Sequence, residues 1–404
     1  MIKSTVAVSH ELDNVVLAAA ELCGQTAQKL ALAKNSFGLL ICDSDAEHAE
    51  LLAEIQKSLD IPIVGFTCTA MLTGEHGLAD QAACLATITS DDVSFSVATS
   101  EPLTPGNVAE EIERTYKKAL NSLDGEPLAV MAFPPYILGI MLDIYPRELD
   151  RVSGGLPVFG GLPAHDEVNG CSAVFCGDRV ADDRLTILLL SGAAKPVFSV
   201  KNNLGTLVSM KRPVTHSEGN TVYRVGDQTF VEFLKGFGLD VDAIADPKDK
   251  TTSFTAYPLL VEMTQQENFD GVPIVRTIHS IDMTTGAGTA IGEIPQGATL
   301  SLGMLKADDI EQSASQSVTD ILAKMKSNEA DGYRYSLILA ISCVGRYFVL
   351  ANRSELEAEV LKGGLPKNLS LCGFYSFGEI CPTSVSAGRA NNAAHNESLV
   401  IMAL

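Results

Sequence analysis

The sequence predicts an α/β protein of two domains, in which repeated strand-helix-strand-helix-strand units form mixed sheets covered by helices. Three observations support this fold class. Several strand-length runs are apolar on both faces, as in sheets buried between helices. Amphipathic helical stretches alternate with these runs, and the same order of elements recurs three times. The 404 residues also exceed the size at which a single hydrophobic core stops growing.

The first unit begins with a short apolar strand at residues 6–8 and a helix over residues 11–34. Residues 37–42 are apolar on both faces, which indicates a buried strand. The next helix starts at Asp45, and its apolar side chains fall at three- and four-residue steps that form one face. A third strand starts at Ile61.

The second unit repeats this order. A strand at residues 93–97 precedes a helix opened by Asn107, with Glu110 three residues later in the pattern of a capping box. Strands are expected at residues 128–133 and 156–160, with a helical stretch between them.

The third unit has strands expected at residues 300–305, 336–341 and 369–373. Ser354 and Glu357 match a capping box for the helix that precedes the last of these strands. The spacing therefore assigns Glu357 to the helix terminus.

The residues before the third unit have a different pattern. They read as several short strands around one helix, with glycines that signal turns. We therefore place a domain boundary near residue 200. Residues 1–200 form a domain of two units, and residues 201–404 form a second domain, in which a β-rich insertion (201–297) precedes the third unit (298–404).

Charge and apolar patterning exclude several classes of partner. Lys+Arg 29 against Asp+Glu 50 gives a net charge of −21, which repels nucleic acid and anionic membrane surfaces. The first residues lack the apolar core of a signal peptide, and the apolar stretch 128–142 is too short for a bilayer span. We expect a cytoplasmic protein. The nine cysteines lack paired metal-site spacing, which predicts buried reduced thiols and no bound metal.

The third strands of the three units align on a glycine, at Gly65, Gly160 and Gly373. Ligands tend to bind beyond the carboxyl ends of parallel strands, which is where the following residues fall. A structural role is the alternative, because glycine in a strand often marks a close backbone approach.

The segments after these glycines supply candidate ligand-binding residues. Six positions beyond the glycine, the second and third units carry an acid. The candidates are Thr67, Cys68 and Thr69 in the first unit, Gly161 and Asp166 in the second, and Phe374, Tyr375, Ser376, Gly378 and Glu379 in the third. The aromatic residues of the third copy suit a pocket wall, so we expect the ligand there.

An arginine lies just beyond an apolar strand of the third unit, where Cys343 is followed by Arg346. A buried guanidinium needs an anion or several acceptors. If Arg346 and Glu379 converge, they would hold the carboxylate and ammonium groups of a free amino acid. The alternative is an internal Arg346–Glu379 salt bridge that fastens two strand ends.

Several segments together resemble the FIST family. Residues 62–70 are similar to the turn that follows a proline-led strand in FIST N domains, and residues 157–166 to the family's Gly-Gly segment ending in aspartate. Cys343-x-x-Arg346 and residues 373–382 resemble the FIST C signature, with 395–400 also in place. Phe66 departs from the cysteine often found there. On this resemblance, residues 1–200 are FIST N-like and 201–404 FIST C-like.

The resemblance implies a sensory module for signal transduction that binds a small ligand such as an amino acid. Such domains are usually joined to kinase, cyclase or chemoreceptor outputs. Because this chain ends at Leu404 without an output domain, we expect a separate signalling partner.

Two other functions stay open at this point. Some relatives are haem-binding nitric oxide sensors, and His165 and His395 are the histidines within the signature segments. The rival class is an enzyme with a thiol nucleophile at Cys68 or Cys343. The sequence has no motif that places a base beside either thiol, so a binding protein is expected.

Overall fold

The computed structural model describes residues 1–164, 172–202, 206–244, 255–262, 274–386 and 388–404, without the side chains of residues 206, 243 and 244. Within these residues the strands form three six-stranded sheets and one nine-stranded sheet, with helices packed on them. The fold class is therefore α/β, as predicted. None of the described helices is both long and apolar enough to span a membrane.

The first unit contains two helices and six strands. Asn14 caps its first helix by accepting a hydrogen bond from the backbone N–H of Leu17 at 3.1 Å, and a stripe of apolar residues buries the other face. Its elements are β1 (Lys3–Ser9), α1 (Val15–Lys29), β2 (Asn35–Asp43), α2 (His48–Ser58), β3 (Ile63–Cys68), β4 (Met71–Thr73), β5 (Gly77–Ala79) and β6 (Ala83–Ser90).

The second unit repeats this order. Its elements are β7 (Val93–Thr99), α3 (Val108–Ser122), β8 (Pro127–Phe133), α4 (Ile144–Ser153), β9 (Val158–Gly161), β10 (Val174–Cys176), β11 (Val180–Ala181) and β12 (Thr186–Gly192). The capping box expected at Asn107 is wrong. The Asn107 side chain bonds to residues that precede it, accepting from Thr104 N and donating to Pro102 O, and it makes no hydrogen bond to the helix.

The third unit is interrupted by an insertion after its first strand, β13 (Val197–Asn202). The insertion contains β14 (Thr206–Leu207), β15 (Arg212–Glu218), β16 (Thr221–Val225), β17 (Gln228–Thr229), α5 (Phe230–Lys235), α6 (Val241–Ile244), β18 (Leu259–Glu262), β19 (Ile274–Arg276), β20 (Ile278–Asp282), β21 (Ala287–Ala290) and β22 (Thr299–Met304).

The third unit then resumes with α7 (Ala307–Ala330), β23 (Leu337–Cys343), α8 (Val344–Leu350), a 3₁₀ turn (Ala351–Arg353), α9 (Leu356–Gly364), β24 (Ser370–Ser376), β25 (Glu379–Ser386), β26 (Arg389–His395) and β27 (Ser398–Ala403).

The strand expected to start the third unit at residues 300–305 lies elsewhere. It is β22, which pairs antiparallel with β18 in the nine-stranded sheet, whereas β13 pairs with β27 in the sheet of the third unit. Both segments have strand-forming composition, and composition does not specify which distant strand each will join. The domain boundary near residue 200 stays a prediction, and it falls at the end of β13.

Each unit contributes a β-hairpin to the sheet of another unit. The β4–β5 hairpin of the first unit joins β24, the β10–β11 hairpin of the second joins β3, and the β25–β26 hairpin of the third joins β9. The three sheets are therefore linked in a closed cycle. Their inner faces share one hydrophobic core, in which Phe66 lies 4.6 Å from Phe374 and 5.7 Å from Phe133, measured between ring centroids.

The insertion is fastened to this core by Arg276, which is 1% exposed. Its guanidinium pairs with Asp143 before α4 and donates to the carbonyl oxygen of Ala394 in β26 at 3.1 Å. Residues of both the second and the third unit therefore anchor the insertion to the core.

Candidate functional site

The three aligned glycines occupy equivalent positions in the structure. Each lies in a parallel pair with the second strand of its own unit, opposite Leu40, Ala132 or Ala340. A Cβ atom added at Gly65, Gly160 or Gly373 would lie 2.0, 1.9 or 2.6 Å from the carbonyl oxygen of that partner. This close approach accounts for glycine at all three positions without a ligand.

The segments that follow these glycines meet one another. The backbone N–H of Tyr375 donates to Ala70 O at 3.0 Å, and that of Leu162 donates to Gly378 O at 3.0 Å. Gly161 also pairs with Glu379 across β9 and β25. The hairpin exchange thus brings the predicted site segments of all three units together.

The first-unit candidates lie in this packed centre. Thr67 is buried, and its hydroxyl accepts from Ala173 N at 3.0 Å and donates to Ala164 O. Cys68 is buried, and burial raises its pKa well above the usual value. Thr69 is half-buried, and its hydroxyl has no hydrogen-bond partner in the described residues. Asp166 lies outside those residues.

Arg346 is completely buried and pairs with Glu357 of α9. Its Nε donates to Glu357 Oε1 at 3.1 Å and to Ser342 Oγ at 3.2 Å, while Ser342 donates to Glu357 Oε2 at 2.7 Å. Burial disfavours the charged guanidinium, but the nearby Glu357 carboxylate outweighs this and raises the pKa of Arg346. Glu357 therefore serves as the buried counter-ion. The capping box assigned to it is wrong, because α9 begins at Leu356 after Glu355.

The internal Arg346–Glu379 salt bridge, the alternative to a ligand, does not form, because Arg346 pairs with Glu357. Glu379 accepts from Ser376 Oγ and from Ser398 Oγ, both at 2.8 Å. Successive strand residues point to opposite faces, so Ser342 faces the helices and Ser376 faces the shared core. Arg346 and Glu379 are therefore held by different partners. Burial raises the pKa of Glu379 well above its usual value, which favours the neutral acid.

The aromatic candidates belong to hydrophobic cores. Phe374 is 2% exposed and packs edge-on against Phe66 in the shared core. Tyr375 lies on the helix-covered face, 4.9 Å from Tyr347 between ring centroids. Burial raises the pKa of Tyr375 well above its usual value, and the neighbouring Glu357 adds to the shift. These rings shape the interior around the polar groups.

Cys343 is buried, and the carboxyl groups of Glu379 and Glu397 are close enough to influence its thiol. Burial and these two carboxyl groups raise the pKa of its thiol, although the backbone groups of Glu397 and Gly345 oppose the shift. Asp43 holds the equivalent position in the first unit and accepts from Asp45 N at 3.0 Å. The site thus contains a neutral thiol where the first repeat has a carboxylate.

Glu397 is the functional candidate that sequence reasoning missed. It is completely buried and has a left-handed backbone, with φ of 51°. Its Oε1 accepts from Thr277 of the insertion at 2.9 Å, and its Oε2 has no hydrogen-bond partner among the described residues. Burial raises its pKa to about 7. An Asn-Glu pair directly before a buried strand was the available signal.

Glu397 makes stability depend on pH. Its folded pKa of about 7 exceeds the unfolded value of about 4.3, so the folded chain retains a proton that the unfolded chain releases. Relative to Glu397→Gln, the wild-type free energy of unfolding should therefore fall by about 4 kcal/mol as pH rises through this window. Urea unfolding at several pH values measures the difference. Burial lowers the pKa of His395 to about 4, so this residue makes the free energy of unfolding rise with pH. Because His395 is present in both proteins, its effect cancels in the comparison. If the unfolding free energies of wild type and Glu397→Gln change equally with pH, the raised pKa of Glu397 is wrong.

His395 does not fit the haem site that the family resemblance suggested. His395 is 1% exposed, and its Nε2 lies 3.0 Å from the carbonyl oxygen of Cys381 in the adjacent strand. This enclosed position does not fit an axial ligand, which must face a haem-sized slot. His165 lies outside the described residues.

Comparison with known proteins gives a family. The family model of the FIST N domain matches residues 36–228, and that of the FIST C domain matches residues 239–382. No curated protein matches the chain.

Two solved structures show a weak likeness. One is a cyanuric acid hydrolase from A. caulinodans, at 9% identity and a TM-score of 0.32, covering 100% of this chain and 99% of the other. The second is PurLQS from Thermotoga maritima, at 8% identity and a TM-score of 0.21, covering 100% and 72%. The two domain matches show that the chain belongs to the FIST family of small-ligand sensory signalling domains, with a FIST N domain followed by a FIST C domain.

Proposed function

We propose that this protein senses a free amino acid, or a similar small zwitterion, at the carboxyl ends of the third-unit strands. The observation that carries the proposal is a pair of unsatisfied buried groups of opposite charge. Arg346 Nη1 and Glu397 Oε2 both lack a hydrogen-bond partner within the described residues. Gly345, the residue before Arg346, packs against the Glu397 carboxyl group, since a Cβ atom added at Gly345 would lie 2.3 Å from Glu397 Oε1.

The chemistry of these groups selects the ligand class. Arg346 Nη1 is a donor that suits a carboxylate, and Glu397 Oε2 is an acceptor that suits an ammonium group. Leaving such groups unpaired costs roughly 1–3 kcal/mol each. A ligand carrying both charges would recover this cost. The Asn396 Oδ1 atom, also buried without a partner among the described residues, adds a second acceptor for the ammonium.

The insertion provides a path from binding to signal. Thr277 closes the cluster by donating to Glu397, so a ligand entering there must displace or share this contact. Movement of the insertion relative to the third unit would then be read by a separate signalling partner. The protein acts as a binding module in this proposal and not as an enzyme, since the neutral thiol of Cys343 is a poor nucleophile.

A thermal-shift screen with the common amino acids tests the proposal. At least one amino acid should raise the melting temperature of the wild type, and Glu397→Gln should remove most of that rise because the variant lacks the anionic acceptor. Glu355→Gln is the matched control, because Glu355 is an exposed glutamate directly before α9, and this variant should respond like wild type. If no amino acid shifts the wild type, or if Glu397→Gln responds equally, the proposal fails.

A further inference from the structure

A groove of about 490 Å³ lies between the first and third units, away from the acid cluster formed by the buried Glu379 and Glu397. One wall comes from β1, the end of α1 and the β4–β5 turn, and the other comes from the end of α9 and the start of β24. Ser370, the first residue of β24, lines the groove. Ser376, the last residue of β24, donates to Glu379 of the acid cluster. Six residue steps along the strand, roughly 20 Å, separate these two positions. The two sites are therefore distinct.

The groove concentrates positive charge on a protein whose net charge is −21. Lys29, Lys362 and Lys367 line it, and Glu75 is the acid among its lining residues. Lys29 Nζ lies 3.2 Å from Glu75 Oε2, and Lys362 Nζ donates to the backbone carbonyl of Glu75 at 2.7 Å. Two ammonium groups thus converge on one residue, and the groove retains an excess of two positive charges.

Lys367 distinguishes the groove from ordinary helix ends. Lys29 and Lys362 lie in the last turns of α1 and α9, where a cation also interacts with the helix dipole. Lys367 lies beyond α9, and within the described part of the chain it makes no hydrogen bond or ion pair. Its charge is available to an anion in the groove.

The floor of the groove is apolar. Val8, Leu365, Leu369 and Leu371 line it, and each is buried. Thr5, Thr73 and Ser370 also line the groove. A site with an aliphatic floor and two excess positive charges suits an organic dianion with a hydrocarbon body, and a volume of this size suits a small molecule.

We propose that this groove binds a small aliphatic dicarboxylate, with its carboxylates on the lysines and its carbon chain on the apolar floor. This is a second ligand site, made jointly by residues of the FIST N and FIST C halves. A bound dicarboxylate would tie the β4–β5 turn of the first unit to α9 of the third. The ligand carries no ammonium group, so it differs in class from the zwitterion proposed for the acid cluster.

Isothermal titration with succinate, glutarate, adipate and inorganic phosphate tests this site. We expect the dicarboxylates to bind the wild type, adipate more tightly than succinate because more of its chain contacts the floor. Lys367→Ala should weaken binding about fivefold, as loss of one ion pair with a partly exposed partner implies. Lys57→Ala is the matched control, because Lys57 is an exposed lysine of α2 outside the groove, and it should bind like wild type.

Three outcomes would overturn the dicarboxylate site. The first is no binding of any dicarboxylate at millimolar concentration, and the second is equal affinity of wild type and Lys367→Ala. The third is phosphate binding as tight as that of adipate, which would show an anion site indifferent to the apolar floor. Glu397→Gln should leave dicarboxylate binding unchanged, and Lys367→Ala should leave the amino acid response unchanged. These two variants therefore distinguish a failure of the dicarboxylate proposal from a failure of the amino acid proposal.

Discussion

Gly65→Ala is expected to lose more than about 3 kcal/mol of folding free energy, enough to leave much of the protein unfolded. The new Cβ would lie 2.0 Å from the backbone carbonyl of Leu40, and the residue has φ of 129°, which disfavours any side chain. Backbone cannot move aside without breaking the parallel β2–β3 ladder. Gly160→Ala should be as damaging, because its Cβ would lie 1.9 Å from Ala132 O.

Gly24→Ala is the control for this pair. Gly24 lies inside α1, and a Cβ there meets nothing within 4 Å. Because alanine favours the helix over glycine, this change should be neutral or stabilise by up to about 1 kcal/mol. Urea unfolding of the purified variants measures all three. A Gly65→Ala protein as stable as wild type would refute the close strand approach.

Arg346→Met should destabilise the protein by about 3–5 kcal/mol, because it leaves the Glu357 carboxylate buried without its counter-ion. Both side chains have 0% exposure, so water cannot replace the lost partner. The double variant Arg346→Met with Glu357→Leu removes both charges and should recover most of the loss. Thermal and urea unfolding of the two single variants and the double variant give the coupling energy.

Arg353→Met is the matched control for the buried pair. Arg353 is an exposed arginine seven residues away, with ion pairs to Asp308 and Glu311. Surface pairs contribute at most about 1 kcal/mol, so this variant should unfold nearly as wild type does. If the losses from Arg346→Met and Glu357→Leu simply add in the double variant, the pair is not coupled and the account of Arg346 is wrong.

The sequence predicted the α/β class and the three repeats because strand and helix periodicities are local properties. The glycine alignment of Gly65, Gly160 and Gly373 was also accessible, since all three meet the same backbone constraint. The hairpin exchange was not. An alternating apolar segment such as residues 71–79 pairs equally well with its own sheet or with a neighbour, and the choice depends on distant strands.

The contacts of the candidate site residues could not be predicted from the sequence. Arg346 stood out because a charge follows an apolar strand. Its partner Glu357 was concealed by a local pattern that also fits a helix cap, and tertiary packing outweighed that local preference. Glu397 was hidden because burial at a strand start depends on the insertion that covers it, through Thr277. Sequence spacing contains no information on that contact.

The central claim is that a zwitterionic ligand binds between Arg346 and Glu397. Isothermal titration with the amino acid that gives the largest thermal shift tests it most directly, using wild type and Glu397→Gln. We expect one molecule bound per wild-type chain and at least about tenfold weaker binding to Glu397→Gln, which corresponds to a loss of about 1.4 kcal/mol of binding free energy. Equal affinity in the two proteins would contradict it.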